Sequence, residues 1–116
     1  MARYCLIGHV DPAHLDIYRQ RHTEVWPELL EVLRGAGWRN YSLFLGEDGL
    51  LVAYVESDDL DAAQALVAAT EVNARWQAEM SLLFATEGAP DEAWTRLELV
   101  FNLEDALDQV TKAQGV

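Results

Sequence analysis

A chain of 116 residues with a formal net charge of −12 and only eight Lys and Arg repels phosphate backbones and anionic bilayers, so neither nucleic acid nor a membrane is an expected partner. Its composition, 51% apolar and 24% charged, is that of one ordinary globular domain able to bury its own core. The single cysteine, Cys5, excludes an intrachain disulfide; with no signal-peptide pattern and no run near the ~18 apolar residues of a membrane span, a cytoplasmic protein is expected.

Arg3 to Val10 reads as a strand, with Tyr4, Leu6 and Val10 on one face and Cys5, Ile7 and His9 on the other. Apolar groups on both faces predict a central strand, and Cys5 reads as a small core residue. Asp11-Pro12 opens a helix running to about His22, with Asp11 as N-cap. Pro27 stops that helix and suits the first turn of another, which carries Leu29, Leu30, Val32 and Leu33 and closes at Gly37. Asn40 to Leu45 alternates Tyr41, Leu43 and Leu45 against Ser42 and Phe44, and Glu47-Asp48-Gly49 turns it into a partner strand, Leu50 to Glu56.

Asp58-Asp59 starts a further helical region whose apolar side is expected to be Ala62, Ala63, Leu66 and Val67. Thr70 caps a renewed helix from Glu71 to about Phe84, with an inward stripe of Val72, Trp76, Met80 and Leu83. Gly88-Ala89-Pro90 marks a loop, and Thr95 to Leu103 reads as the last strand. Residues 104–116 read as a short amphipathic helix or a loose tail beyond a 1–103 domain. The order β-α-β-β-α-β is a ferredoxin-like split β-α-β fold of the α+β class. Helices on one side of four strands leave an apolar sheet face that demands a partner, which predicts a homodimer closing a dimeric α+β barrel.

The stretch Tyr18-Arg-Gln-Arg-His22-Thr-Glu-Val-Trp26-Pro-Glu-Leu holds the chemistry. Tyr18 and His22 lie four apart, hence on one helical face, and a phenol beside an imidazole can hold a polyhydroxylated molecule and move its protons. Glu24, Glu28, Asp58 and Asp59 read as solvated faces and caps; Trp26, Trp38 and Trp94 read as packing or loop anchors. His9, His14 and His22 lack zinc-type spacing, and there is no phosphate-cradling glycine motif or nucleophile elbow, so neither a metal nor a nucleotide cofactor is expected.

That stretch, together with Gly-Trp-Arg-Asn-Tyr-Ser-Leu-Phe-Leu and Asn-Ala-Arg-Trp-Gln-Ala-Glu-Met, resembles the L-rhamnose mutarotase family over nearly all of the chain up to Leu103. The resemblance implies a dimeric α+β barrel that interconverts the α and β anomers of a 6-deoxy sugar without a cofactor. It places the family's proton donor on His22 and its sugar contacts on Tyr18, Tyr41, Trp76 and Gln77. Family members often carry a second Trp where this chain has Gln77, and a His where it has Asn102. On this reading His22 protonates the ring oxygen, since imidazole titrates near 6.5, while Tyr18 orients the sugar or relays the other proton. Trp76 stacks on the sugar's apolar face, and Tyr41 and Gln77 bond hydroxyls. A cofactor-free oxygenase on the same barrel, or a non-catalytic ligand-binding dimer, are the rival expectations; the first rests on fold analogy alone.

Overall fold

The computed structural model describes residues 1–84 and 93–113. Strand β1 (Ala2–His9) leads through a 3-10 turn (Pro12–His14) to helix α1 (Leu15–Arg21), then helix α2 (Pro27–Gly35). Strands β2 (Arg39–Leu45) and β3 (Leu50–Ser57) form a hairpin, followed by helices α3 (Leu60–Ala68) and α4 (Glu71–Met80). Strand β4 (Thr95–Leu97) and helix α5 (Leu103–Ala113) complete the described chain. The sheet order is β2-β3-β1-β4, with every pair antiparallel, so β1 sits inside the sheet as its two apolar faces require. This is the expected ferredoxin-like α+β arrangement.

Local chemistry sets the ends of the elements. The Asp11 carboxylate accepts from the Ala13 N–H at 2.9 Å, Asp59 from Ala62 at 3.1 Å, and the Thr70 hydroxyl from Asn73 at 3.3 Å. Each satisfies an amide that the first helical turn leaves unpaired. Helix α2 ends in paired backbone bonds, Trp38 N–H to Leu33 O at 3.0 Å and Gly37 N–H to Arg34 O at 3.3 Å, the geometry a glycine at the C′ position provides. The β2–β3 turn is closed by Gly46 N–H to Leu50 O at 2.7 Å, with Gly49 at φ +96°.

The core lies between one sheet face and the helices. Leu6, Val10, Leu51, Ala53 and Val55 meet Leu29, Leu60, Val67, Val72, Trp76 and Met80 there, all buried. The inward stripe of α4 is as expected, with Leu83 buried beyond it. Two expectations fail. Leu30 and Leu66 are exposed, because each helix turns only a narrow stripe to the sheet and Leu29 or Ala63 and Val67 occupy it. Cys5 is not in the core but half-buried on the opposite sheet face.

Among the described residues no helix packs over that opposite face. Cys5, Ile7, Val52 and Phe44 share it by register, with Phe44 61% and the β4 residue Leu97 45% exposed. The last strand is shorter than expected: pairing stops at Leu97, and residues 98–102 leave the sheet. Residues 103–113 form the amphipathic helix, tied to β1 by an Arg3–Asp105 ion pair at 3.2 Å. The radius of gyration, 16.4 Å, exceeds the ~13 Å of a compact chain of this length, because this arm projects. The loop expected at Gly88-Ala89-Pro90 lies outside the described residues.

Candidate active site

Helix α1 ends at Arg21, and His22 is its C-cap, so the imidazole is fixed by the last turn rather than by a loop. The Thr23 hydroxyl donates to Gln20 O at 2.7 Å, completing the stop. Trp26, held extended by the proline after it, starts α2 with Pro27 in its first turn. Two exposed ion pairs bridge this break to α4: Arg21–Glu79 at 3.3 Å and Arg75–Glu28 at 3.6 Å. Pairs so exposed contribute at most about 1 kcal/mol each, so the register comes from the rings beneath them.

Those rings interlock. Tyr18 and His22 lie 4.2 Å apart, centroid to centroid. His22 meets Trp76 edge to face at 5.5 Å, and Trp76 meets Trp26 in the same manner at 5.1 Å. The Phe84 ring edges Tyr18 at 5.9 Å. Tyr18 and Trp76 are 5% and 6% exposed. Trp26 backs Trp76 from outside, while Tyr18, His22, Trp76 and Phe84 help to wall a cavity of about 270 Å³ between the helices and the sheet. That is close to the lower end of the usual ligand-pocket range, about 300–1,000 Å³, and suits a small molecule.

All five residues expected at the site, Tyr18, His22, Tyr41, Trp76 and Gln77, line this one cavity. Glu24 and Glu28 do not, which agrees with their reading as solvated carboxylates. Five further polar or aromatic residues were not expected there: Trp38, Gln64, Asn73, Phe84 and Trp94. The Trp38 ring lies 4.8 Å from that of Tyr41 and its indole N–H donates to Ala63 O at 3.3 Å, so it anchors Tyr41 from below. Trp94 can lie on the sheet because Gly8 has no side chain; a methyl there would stand 3.1 Å from the indole. Asn73 precedes Gln77 by one helical turn, a spacing that could have marked it.

The protonation chemistry follows from two observations. His22 Nδ1 lies 2.8 Å from Tyr18 O; a carbonyl only accepts, so Nδ1 carries the proton and Nε2 holds the free lone pair. Burial lowers the His22 pKa below its usual 6.5, and the bond to the Tyr18 carbonyl opposes this only in part. The imidazole therefore rests neutral at pH 7. Burial, with Tyr41 nearby adding to it, pushes the Tyr18 phenol well above its ordinary 10, so it stays protonated. A proton acceptor and a proton donor thus stand side by side on one wall, opposite apolar rings. Among the described residues no group of three or more His, Cys, Asp or Glu could hold a metal ion.

A family model described as L-rhamnose mutarotase matches residues 3–103. The L-rhamnose mutarotase of Burkholderia cenocepacia is 41% identical over 98 residues, covering 83% of this chain and 92% of that protein. That of Bacillus subtilis is 36% identical over 105 residues, covering 90% of this chain and all (100%) of that one. Among solved structures, an L-rhamnose mutarotase from Formosa agariphila superposes with a TM-score of 0.71 at 26% identity, covering 89% of this chain and 99% of that one. An antibiotic biosynthesis monooxygenase superposes with a TM-score of 0.59 at 22% identity, covering 87% and 100% of the two chains; that likeness is one of fold alone.

Proposed function

The chain belongs to the L-rhamnose mutarotase family, and on that premise we propose that it interconverts the α and β anomers of L-rhamnose or a closely related sugar at the Tyr18–His22 wall. The carrying observation is the pairing of a neutral imidazole, its Nε2 lone pair free, with a phenol that keeps its proton, both lining one aromatic cavity.

Anomer exchange needs the anomeric hydroxyl to lose a proton while the ring oxygen gains one. The C1–O5 bond then breaks to an open-chain aldehyde. Rotation about C1–C2 presents the other carbonyl face, and reversal of the proton transfers closes the ring. Because His22 rests neutral, it starts as the acceptor: Nε2 takes the anomeric proton, and the Tyr18 hydroxyl gives one to O5. After rotation each group reverses its part, so both end as they began. The direction of the first transfer is then opposite to the one suggested by an imidazole titrating at 6.5. Trp76 supplies a face for the sugar's apolar side, and Tyr41 and Gln77 its hydroxyl contacts. No cofactor enters these steps.

Saturation-transfer NMR on L-rhamnose at equilibrium tests this. We expect His22→Ala and Tyr18→Phe each to lower enzyme-dependent exchange by ~10²–10⁴-fold with the fold intact. Undiminished exchange in a folded His22→Ala protein rules out the assignment.

The working form is proposed to be a homodimer, with residues 1–103 as the sugar-handling domain and 104–116 as an appendage. The support is the uncovered sheet face with Ile7, Phe44, Val52 and Leu97, an apolar surface that a monomer rarely leaves open. Light scattering should give twice the 13.0 kDa chain mass, and Phe44→Asp should halve it; a monomer in the unaltered protein would contradict this. We also place the enzyme in the cytoplasm, since a chain with one cysteine gains nothing from an oxidising compartment; recovery with secreted proteins on fractionation would exclude that.

A further inference from the structure

Asn73 is 5% exposed, yet it sits on the cavity-facing side of α4 between apolar neighbours Val72 and Trp76. A buried carboxamide costs free energy unless its polar atoms are engaged. One engagement is visible: the Gln77 Nε2–H donates to Asn73 Oδ1 at 3.1 Å, across one helical turn. This pins the Gln77 carboxamide by its nitrogen. Its Oε1 has no partner among the described residues, and Gln77 lines the cavity. A long side chain that would otherwise sample many rotamers is thus held as a fixed hydrogen-bond acceptor. On α3, Gln64 lines the same cavity with its own Oε1 held by Arg96 at 3.4 Å, which leaves its N–H pair as donors. A sugar hydroxyl both gives and accepts, and these two amides offer one of each.

We propose that Asn73 is a positioning residue that locks Gln77 as a hydrogen-bond acceptor, so that the cavity recognises one hydroxyl more than a 6-deoxy sugar has and accepts the 6-hydroxy counterpart as substrate. This rests on the mutarotase reading. The physical reason is an asymmetry of selectivity. A site built to bond a hydroxyl leaves a buried acceptor unpaired when the substrate carries a methyl instead, whereas an apolar wall barely distinguishes the two. Gln77 makes that part of the wall polar. Asn73 bears on the substrate by way of Gln77 and need not touch the sugar.

The test compares L-rhamnose with L-mannose, which differ only in the C6 hydroxyl, by saturation-transfer exchange rates over a range of sugar concentrations. In the unaltered protein kcat/KM for L-mannose should equal or exceed that for L-rhamnose. Asn73→Leu and Gln77→Met should each lower the L-mannose to L-rhamnose ratio about tenfold, a difference of about 1.4 kcal/mol. The loss should fall mainly on KM for L-mannose. A merely structural role for Asn73 would depress both sugars alike and leave the ratio unmoved. Gln77 is half-buried, so Gln77→Met keeps the test decisive should Asn73→Leu misfold. An unchanged ratio in both variants, with both sugars exchanging, overturns this inference and leaves the mutarotase reading standing. A ratio that falls in Gln77→Met alone removes Asn73 from it. No exchange of either sugar by the unaltered protein overturns the mutarotase reading and this inference with it.

Discussion

If His22 begins the cycle as a base, the enzyme-dependent rate must follow its neutral fraction. The imidazole is stacked 4.2 Å from Tyr18 and edged by Trp76 at 5.5 Å, an environment that penalises the charged form and lowers its pKa below 6.5. With an unperturbed pKa of about 6.5, the neutral fraction would be roughly nine-tenths at pH 7.5 and three-hundredths at pH 5, a fall of about thirtyfold. Because burial moves the pKa down, the fall over that interval must be smaller than about thirtyfold, with the break on the acid side of 6.5. The assay is anomer exchange of L-rhamnose by saturation transfer, with the buffer-catalysed rate subtracted at each pH. His22→Ala should show a low, flat residue of activity over the same range. An enzyme-dependent rate that climbs as pH drops from 7.5 to 5 would refute the reasoning, because it would make the imidazolium the working form.

Trp76 supplies both a site wall and core packing, so Trp76→Ala should cost about 3–5 kcal/mol in urea unfolding, while Trp76→Phe should cost much less; a loss under about 1 kcal/mol for the alanine variant would show that its ring contacts contribute little. Gly49 holds φ +96°, and a Cβ there would collide with Val10 O at 2.1 Å, so Gly49→Ala should destabilise by more than the ~1–3 kcal/mol of backbone strain alone, read as a shift in denaturation midpoint. The same unfolding experiment has a pH arm: since the unfolded chain holds the His22 proton more tightly than the folded one, stability should fall with acid below about 6.5, and fall less in His22→Ala.

What the sequence made legible was what one element's period controls. Tyr18 and His22 share a face because they are four apart, and Tyr41 points to the helices because Leu43 and Leu45 alternate with it. Val72, Trp76 and Met80 were readable for the same reason, and all three are buried. The outer side of α3 was poorly marked, because seven of its nine residues are Ala, Leu or Val and only Asp61 and Gln64 interrupt them, Gln64 facing the cavity rather than marking the wet side. Trp38, Gln64 and Trp94 come to the cavity from a loop, a helix and the approach to β4, and no local period links them. Asn73 was missed because a polar residue within an apolar stripe reads as an exception to the pattern; here it is the pattern's contribution to the site.

The last strand shows where a correct local reading meets a missing neighbour. Thr95 to Leu103 alternates as a strand should, yet pairing with β1 ends at Leu97, and Val100 and Phe101 lie 86% and 68% exposed. Alternation specifies which side chains want burial; it does not supply the N–H and C=O groups that hold a strand in place. Within one copy the arm instead turns away and sets Asp105 against Arg3, so residues 98–102 keep their strand pattern without a ladder. The uncovered sheet face and this unpaired apolar segment belong to the same molecule, and in the proposed homodimer a two-fold axis would satisfy both at once, each copy laying its arm on the other. Amide hydrogen exchange at residues 98–102 should then be slow at high protein concentration and accelerate on dilution, in step with the mass from light scattering. Rapid exchange that ignores concentration, in a protein shown to be dimeric, would leave the sheet face as the interface and the arm without a part in it.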